Sequence, residues 1–457
     1  MPSTGPQPSK KQAPAVSDLA SHETYQSSDK PPHLSLPQQP LTIARGKALL
    51  LVVLLCVLFF HTSNTGVFLG AQAWTLNNLT DYSHQLLPNT AQRFQHTNTS
   101  EAKLPSRAEK YIDTIIKNMT LDEKLGQMMI VQFTGPTDSP DLNTMITHYH
   151  IGAVLLFYAN GNIVSKPQLK DLIYHMQSDS TLPLTVATDQ EGGYVNRLLY
   201  LNGPRPSQAS IGASNDPGQA QAAGLQDAQD LADYGINLNL APVVDVDNSP
   251  TSELHQDQRT YGTNPERVTS MATAYLQGLQ HSGKVIGTLK HFPGLGSVAS
   301  DPHFAVPLVT RSRSDLERID WAPYRTLIQQ GNVHAIMVTH EIVAAVDDTQ
   351  PSTISSKVIT GILRNDLHFQ GVIMTDSLTM KGITNYTLAS QVAPLAVAAG
   401  ADLLMGAASP NTVATMIDGL KQAINATTIS PQRIDDSVRR ILFMKYTMGL
   451  LPIPNNP

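Results

Sequence analysis

The chain has 457 residues, of which 41% are hydrophobic and only 15% charged; that suffices for a sizeable core and excludes a coiled coil or a highly charged tail protein. A formal net charge of -6 gives no electrostatic footing for nucleic acid. One cysteine, Cys56, excludes an intramolecular disulfide and a cysteine-based zinc site.

Residues 1–47 are rich in Pro, Ser and Gln without hydrophobic periodicity and read as a disordered cytoplasmic tail. An unbroken apolar run follows from Ala48 to Phe60, and after a polar patch at His61–Asn64 the apolar character resumes at Val67–Leu69. A bilayer span needs about 20 residues, which the segment 48–70 supplies only as a whole. Arg45 and Lys47 stand just before it and place the N-terminus on the cytoplasmic side. Two readings stay open: a retained signal anchor, or a signal peptide cleaved near Ala73 in Ala71-Gln72-Ala73. Both export the rest of the chain; the anchor would make the membrane a partner through residues 48–70. Residues 71–105 are polar and aperiodic, as in a linker.

The folded part is expected over 106–451. It opens with a helix at Arg107–Asn118, and Thr120 with Glu123 forms a capping box for the next. Short apolar, largely β-branched runs then alternate with helical stretches such as Asp315–Gln330 and Lys357–Leu367. The candidate strands are Met128–Phe133, Ala153–Phe157, Leu184–Thr188, Ile236–Ala241, Val285–Leu289, Ala335–Thr339, Gly371–Thr375 and Asp402–Met405. Ser430-Pro431 fits the N-cap and first residue of a closing helix, with Ile434, Val438, Ile441 and Leu442 on one face. Eight strands alternating with helices predict an α/β fold, a (β/α)8 TIM-type barrel forming a single catalytic domain. A doubly wound open sheet is the alternative.

A TIM barrel carries its chemistry at the C-terminal ends of its strands. Five of the expected strands end in reactive residues: Asp189 and Glu191; Asp245 and Asp247; Lys290 and His291; His340 and Glu341; Asp376. Each alone could be a polar strand end capping the next helix, but five on one register predict a shared site. His291, His303 and His340 come from separate loops and form no His-x-x-x-His or His-x-His pair, so no metal is expected there. Lys290 could form a Schiff base, yet that needs a desolvated amine, whereas acidic groups crowd the same rim. Charge and hydrogen-bonding capacity there suit a polyhydroxylated ligand.

Taken in order, Thr188-Asp189-Gln190-Glu191-Gly192-Gly193 with Arg197, then Arg259-Thr260-Tyr261-Gly262, Lys290-His291-Phe292-Pro293-Gly294, Asp301-Pro302-His303 and Met374-Thr375-Asp376-Ser377-Leu378-Thr379-Met380 resemble glycoside hydrolase family 3, in its β-N-acetylhexosaminidase branch. The resemblance runs from about Met119 to Leu450. It implies retaining hydrolysis of terminal β-linked N-acetylhexosamine from cell-wall or chitin-type oligosaccharides, without a cofactor. It assigns Asp376 as nucleophile, His303 as acid/base and Asp301 as the carboxylate partner of His303. Asp189, Arg197, Arg259, Lys290 and His291 match positions that hold the terminal sugar. Retaining glycosidases pair a nucleophile with an acid/base group, and an imidazole titrating near neutrality can replace the usual carboxyl in the second role. The β-glucosidases of the family draw their acid/base from a domain after the barrel, for which no room is expected before Pro457. Three positions depart from the family pattern. Leu295 stands where a His is common, Pro302 separates the dyad residues, and Ser377 replaces a second Asp. Alternatives are a β-glucosidase or β-xylosidase, a phosphorylase, or a non-catalytic membrane-anchored carbohydrate-binding protein.

Overall fold

A computed structural model describes residues 106–298 and 305–453. The expected tail, signal segment and linker lie outside the described residues. Among those described, no helix is long and apolar enough to cross a membrane.

Eight parallel strands form one sheet: β1 (Met129–Val131), β2 (Ala153–Leu156), β3 (Thr185–Thr188), β4 (Leu238–Asn239), β5 (Ile286–Phe292), β6 (Ala335–Val338), β7 (Val372–Thr375) and β8 (Leu404–Ala407). Each pairs with its sequence neighbour, and β8 pairs with β1. The seam between β7 and β8 is closed by a parallel bridge, Met374 to Leu403, and by the Thr375 amide donating to Leu403 O at 3.0 Å. The sheet is therefore a barrel and the open-sheet alternative falls. Every residue of β1, β2, β3, β5, β6, β7 and β8 is buried, which is why the strands read as continuous apolar runs rather than as alternating ones.

The helix starts were legible because capping is local chemistry. Thr120 and Glu123 make the expected reciprocal capping box. Ser165, Asn264, Ser409 and Ser430 each accept a backbone amide of the first turn, all with Pro in that turn. The closing helix Pro431–Thr447 is fixed to the seam by charge. Asp402, fully buried at the foot of β8, receives Arg364, Arg433 and Arg440 as well as the Ile373 amide of β7.

Two helical stretches differ from simple α-helix. Leu316–Asp320 and Lys357–Asp366 contain wider π-type turns, and the first of these breaks the expected Asp315–Gln330 helix before Ala322–Gln329 resumes it. The larger difference concerns β5. Its expected end was Leu289, yet it continues through Lys290 and His291 to Phe292, all buried.

Candidate active site

The site begins with the turn after β3. Gln190–Gly192 and Val195–Asn196 form a small antiparallel hairpin. Gly192 and Gly193 adopt φ of 88° and 58°, and a Cβ on Gly192 would lie 2.2 Å from Pro206 O, so the glycine pair is demanded by the backbone. Asn239, at the end of β4, accepts the Gln190 amide at 2.9 Å and donates to Gln190 O at 2.9 Å. With Gln190 clamped in this way, Asp189 and Glu191 both reach the barrel axis.

There they meet two cations. Lys290 Nζ lies 2.6 Å from Asp189 Oδ1 and 2.7 Å from Glu191 Oε1. Arg259 grips Glu191 with both arms of its fork: Nε at 2.9 Å from Oε2 and Nη2 at 2.9 Å from Oε1. Its Nη1 lies 3.2 Å from Glu253 Oε1. Burial raises the Glu191 pKa, but Arg259 and Lys290 outweigh it and hold the carboxyl well below its ordinary range. Burial likewise lowers Lys290, yet Asp189 and Glu191 leave it above its ordinary value. A lysine held protonated in this way is unsuited to Schiff-base chemistry, which needs the free amine.

His291 is oriented from the far side. Asp245 Oδ2 accepts its Nδ1 hydrogen at 2.8 Å and its backbone amide at 3.0 Å. Arg259 Nη2, which can only donate, lies 3.4 Å from His291 Nε2. Asp245 Oδ1 also takes the Leu295 amide at 2.7 Å, so one buried carboxylate fixes both the imidazole and the start of the next loop. Leu295, where a His was common, is itself buried. Arg197 stands with its guanidinium 4.8 Å from the Phe157 ring centroid.

Asp376 follows β7. Its Oδ1 accepts the Ser377 amide at 2.7 Å and its Oδ2 accepts Thr339 Oγ1, at the end of β6, at 3.2 Å. Ser377 O receives His340 Nε2–H at 2.9 Å, while His340 Nδ1 lies 2.8 Å from Thr353 Oγ1. The residue at 377 thus acts through its backbone, its amide on Asp376 and its carbonyl on His340. Beside it, Glu341 is fully buried and no side-chain donor reaches it among the described residues. Burial, with Asp245 and Asp376 as like charges, pushes its carboxyl well above the ordinary range.

The structure thus brings Asp189, Arg259, Lys290 and His291 into one contact set and places Asp376 and Arg197 on the same end of the barrel. Asp301 and His303 lie outside the described residues. Sequence reasoning placed Glu191 and Asp245 among the strand-end residues of the shared site but gave neither a role, although Glu191 joins the two cations and Asp245 aims His291. Their signal was present: both are acids at a strand end, in strings already singled out.

A closed (β/α)8 barrel whose mouth combines fixed carboxylates, protonated cations and imidazoles has the hydrogen-bonding capacity that an enzyme acting on a polyhydroxylated substrate needs. The family pattern "Glycosyl hydrolase family 3 N terminal domain" matches residues 120–444. The chain is similar to the beta-hexosaminidase LpqI of Mycobacterium tuberculosis, 31% identical over 329 residues that cover 71% of this chain and 82% of the relative. It is also similar to an uncharacterized secreted glycosyl hydrolase of Arthroderma benhamiae, 31% identical over 69% of this chain and 90% of that one. Among solved structures, a family 3 beta-N-acetylglucosaminidase from a Paenibacillus species superposes with a TM-score of 0.70 at 34% identity, over 74% of this chain and 65% of that one. The chain spans about two thirds of that longer protein's length. It belongs to glycosyl hydrolase family 3.

Proposed function

We propose that the protein removes terminal β-linked N-acetylhexosamine, chiefly N-acetylglucosamine, from cell-wall or chitin-type oligosaccharides with retention of configuration. The observation that carries this is the setting of Asp376, whose two oxygens are aimed by donors on β6 and on its own turn. In the first step the Asp376 carboxylate attacks the anomeric carbon. The glycosidic C–O bond breaks, and the leaving oxygen takes a proton from His303, the acid/base partnered by Asp301. In the second step water attacks the same carbon, His303 takes its proton, and the Asp376 ester is released. Asp189, Lys290, Arg259 and His291 form a dense set of donors and acceptors for the terminal sugar's hydroxyls, and Arg197 adds a cation beside them. The names of the relatives support the acetamido sugar.

The protein works outside the cytoplasm, as supported by the secreted relative and by the leader. Residues 48–70 anchor it to the membrane; release after cleavage near Ala73 is the alternative, separated from it by N-terminal sequencing of the exported form.

The test is a panel of aryl glycosides. The N-acetyl-β-glucosaminide is cleaved in preference to the β-glucoside and β-xyloside, at a rate independent of added phosphate. Asp376→Ala lowers kcat by about a thousandfold or more, since it removes the covalent step. A variant as active as the wild type removes Asp376 from the mechanism, and binding without turnover of any acetamido sugar leaves a carbohydrate-binding protein instead.

A further inference from the structure

The loop after β4 carries a second aspartate–histidine pair, which the sugar pocket described above does not use. His255 Nδ1 lies 2.7 Å from Asp247 Oδ2; the aspartate side chain is 11% exposed and the histidine side chain 49%. The carboxylate accepts the Nδ1 hydrogen, which leaves Nε2 on the far side of the ring with no hydrogen-bond partner among the described residues. Among the described residues, the two other histidines at strand ends differ. His291 and His340 are buried and have both ring nitrogens engaged.

Several contacts build this pair into the mouth. Ser252 Oγ caps the His255 amide at 3.1 Å and starts the one-turn helix Glu253–Gln256. Glu253 in that turn reaches Arg259 of the sugar pocket. The Asp247 amide donates to Gly262 O at 3.0 Å, and the Asn248 amide donates to Gly296 O at 2.8 Å, at the foot of the loop after β5. The two segments run so close that a Cβ on Gly296 would lie 1.9 Å from Val246 O. An imidazole–carboxylate contact with a half-exposed ring adds little stability, so stability does not account for a ring held by Asp247 on the turn whose Glu253 reaches Arg259.

We propose that His255, held by Asp247, hydrogen bonds the sugar on the leaving-group side of the scissile bond. This rests on the hydrolase reading above. The terminal sugar is matched by Asp189, Lys290, Arg259 and His291, whose side chains are at most 13% exposed, whereas the His255 side chain is 49% exposed on the turn whose Glu253 reaches Arg259, open to a unit beyond the terminal sugar. A free imidazole nitrogen there accepts a hydroxyl or acetamide hydrogen from that unit, or donates to one of its oxygens when protonated.

The experiment uses the exported protein with His255→Ala, Asp247→Asn and the double variant. Each is assayed on chitotriose and on an aryl N-acetyl-β-glucosaminide, whose aglycone has no hydroxyl or acetamide, with free N-acetylglucosamine as inhibitor. His255→Ala loses about tenfold in kcat/KM on chitotriose, mostly in KM, the worth of one hydrogen bond. It stays within about twofold on the aryl glycoside, and the Ki of N-acetylglucosamine is unchanged. Asp247→Asn gives a smaller loss of the same pattern, and the double variant is no worse than His255→Ala. Equal losses on both substrates with rescue by azide would make His255 an acid/base group and overturn the proposal, as would no loss on either. If the wild type cleaves neither substrate, the hydrolase reading fails instead. Chitotriose titration then decides the pair, because an equal Kd for wild type and His255→Ala overturns it.

Discussion

Glu191 is the hinge of the charge network, and Glu191→Gln is the sharpest perturbation of it. The substitution keeps the side chain's size and removes its charge. Both oxygens are engaged, Oε1 by Lys290 at 2.7 Å and Arg259 at 2.9 Å, Oε2 by Arg259 at 2.9 Å. An amide NH2 placed at either position would point a donor at a cation. Breaking a buried ion pair by removing one partner costs about 3–5 kcal/mol. Here Lys290 keeps Asp189 and Arg259 keeps Glu253, so the expected loss is about 2–4 kcal/mol at pH 7. The folded-state carboxyl titrates below its unfolded value. Its stabilising contribution is therefore complete above the unfolded pKa of 4.5 and declines as pH falls below it. Urea unfolding of both proteins at pH 7 and below pH 4.5 reads the gap and its closure. Because the proposed reading sets the same cations against the sugar, kcat/KM on the aryl N-acetyl-β-glucosaminide is expected to fall by about ten- to a hundredfold. A gap below about 0.5 kcal/mol with unchanged kcat/KM would refute the idea that Glu191 holds the pocket in shape.

Two further predictions concern buried charges. Lys445 on the closing helix is fully buried, with Gln127 Oε1 at 2.7 Å, and burial lowers its pKa from 10.5 to about 7. That depression costs about 5 kcal/mol below pH 7, partly offset by the hydrogen bond, so Lys445→Met stabilises the fold by about 2–4 kcal/mol at pH 6. Between the folded and unfolded pKa values the unfolded chain binds the extra proton, so wild-type stability rises with pH and the variant's advantage shrinks towards pH 10; an advantage independent of pH in urea unfolding contradicts the reasoning. For Glu341 the sign reverses. Its folded-state pKa is raised, so the unfolded chain releases the proton first and stability is lost as pH rises above 4.5. Glu341→Gln matches wild type at pH 4 and gains up to about 1.4 kcal/mol per pH unit above 4.5 until the folded group titrates. Its kcat at neutral pH is expected to hold, because the substitution keeps the side chain's size and removes a charge that burial disfavours; a large loss of kcat would show that the charged form is needed.

All eight strands were legible because each is an apolar run buried on both faces, a property that needs no knowledge of partners. Helix starts were legible for the same reason, since Thr120 and Glu123 lie three residues apart. The end of β5 was not. Lys290 and His291 look like the polar finish of a strand, and their burial is possible only because Asp189, 101 residues away, and Asp245, 46 residues away, meet them. The π-type turns at Leu316–Asp320 and Lys357–Asp366 leave a helical spacing nearly unchanged, so periodicity could not reveal them.

The same distinction explains which site residues were assigned. Asp189, Lys290, His291 and Asp376, which the proposed reading turns towards the sugar, stand at strand ends, where position alone marks them. Groups that make those positions usable are recognised only by pairing. Glu191 is indistinguishable in sequence from Asp189, yet one is 4% exposed and held on both oxygens by cations while the other reaches Lys290 through a single oxygen. Asp245 and Asp247 are two residues apart on the segment after β4, and each orients a different histidine, the buried His291 and the half-exposed His255. An acid at a strand end therefore has at least three roles in this barrel: facing the sugar, pairing a buried cation and fixing an imidazole. Only the three-dimensional partner decides among them. That is why the roles of Asp247 and His255 became visible only once the loop after β4 was seen folded against Gly296.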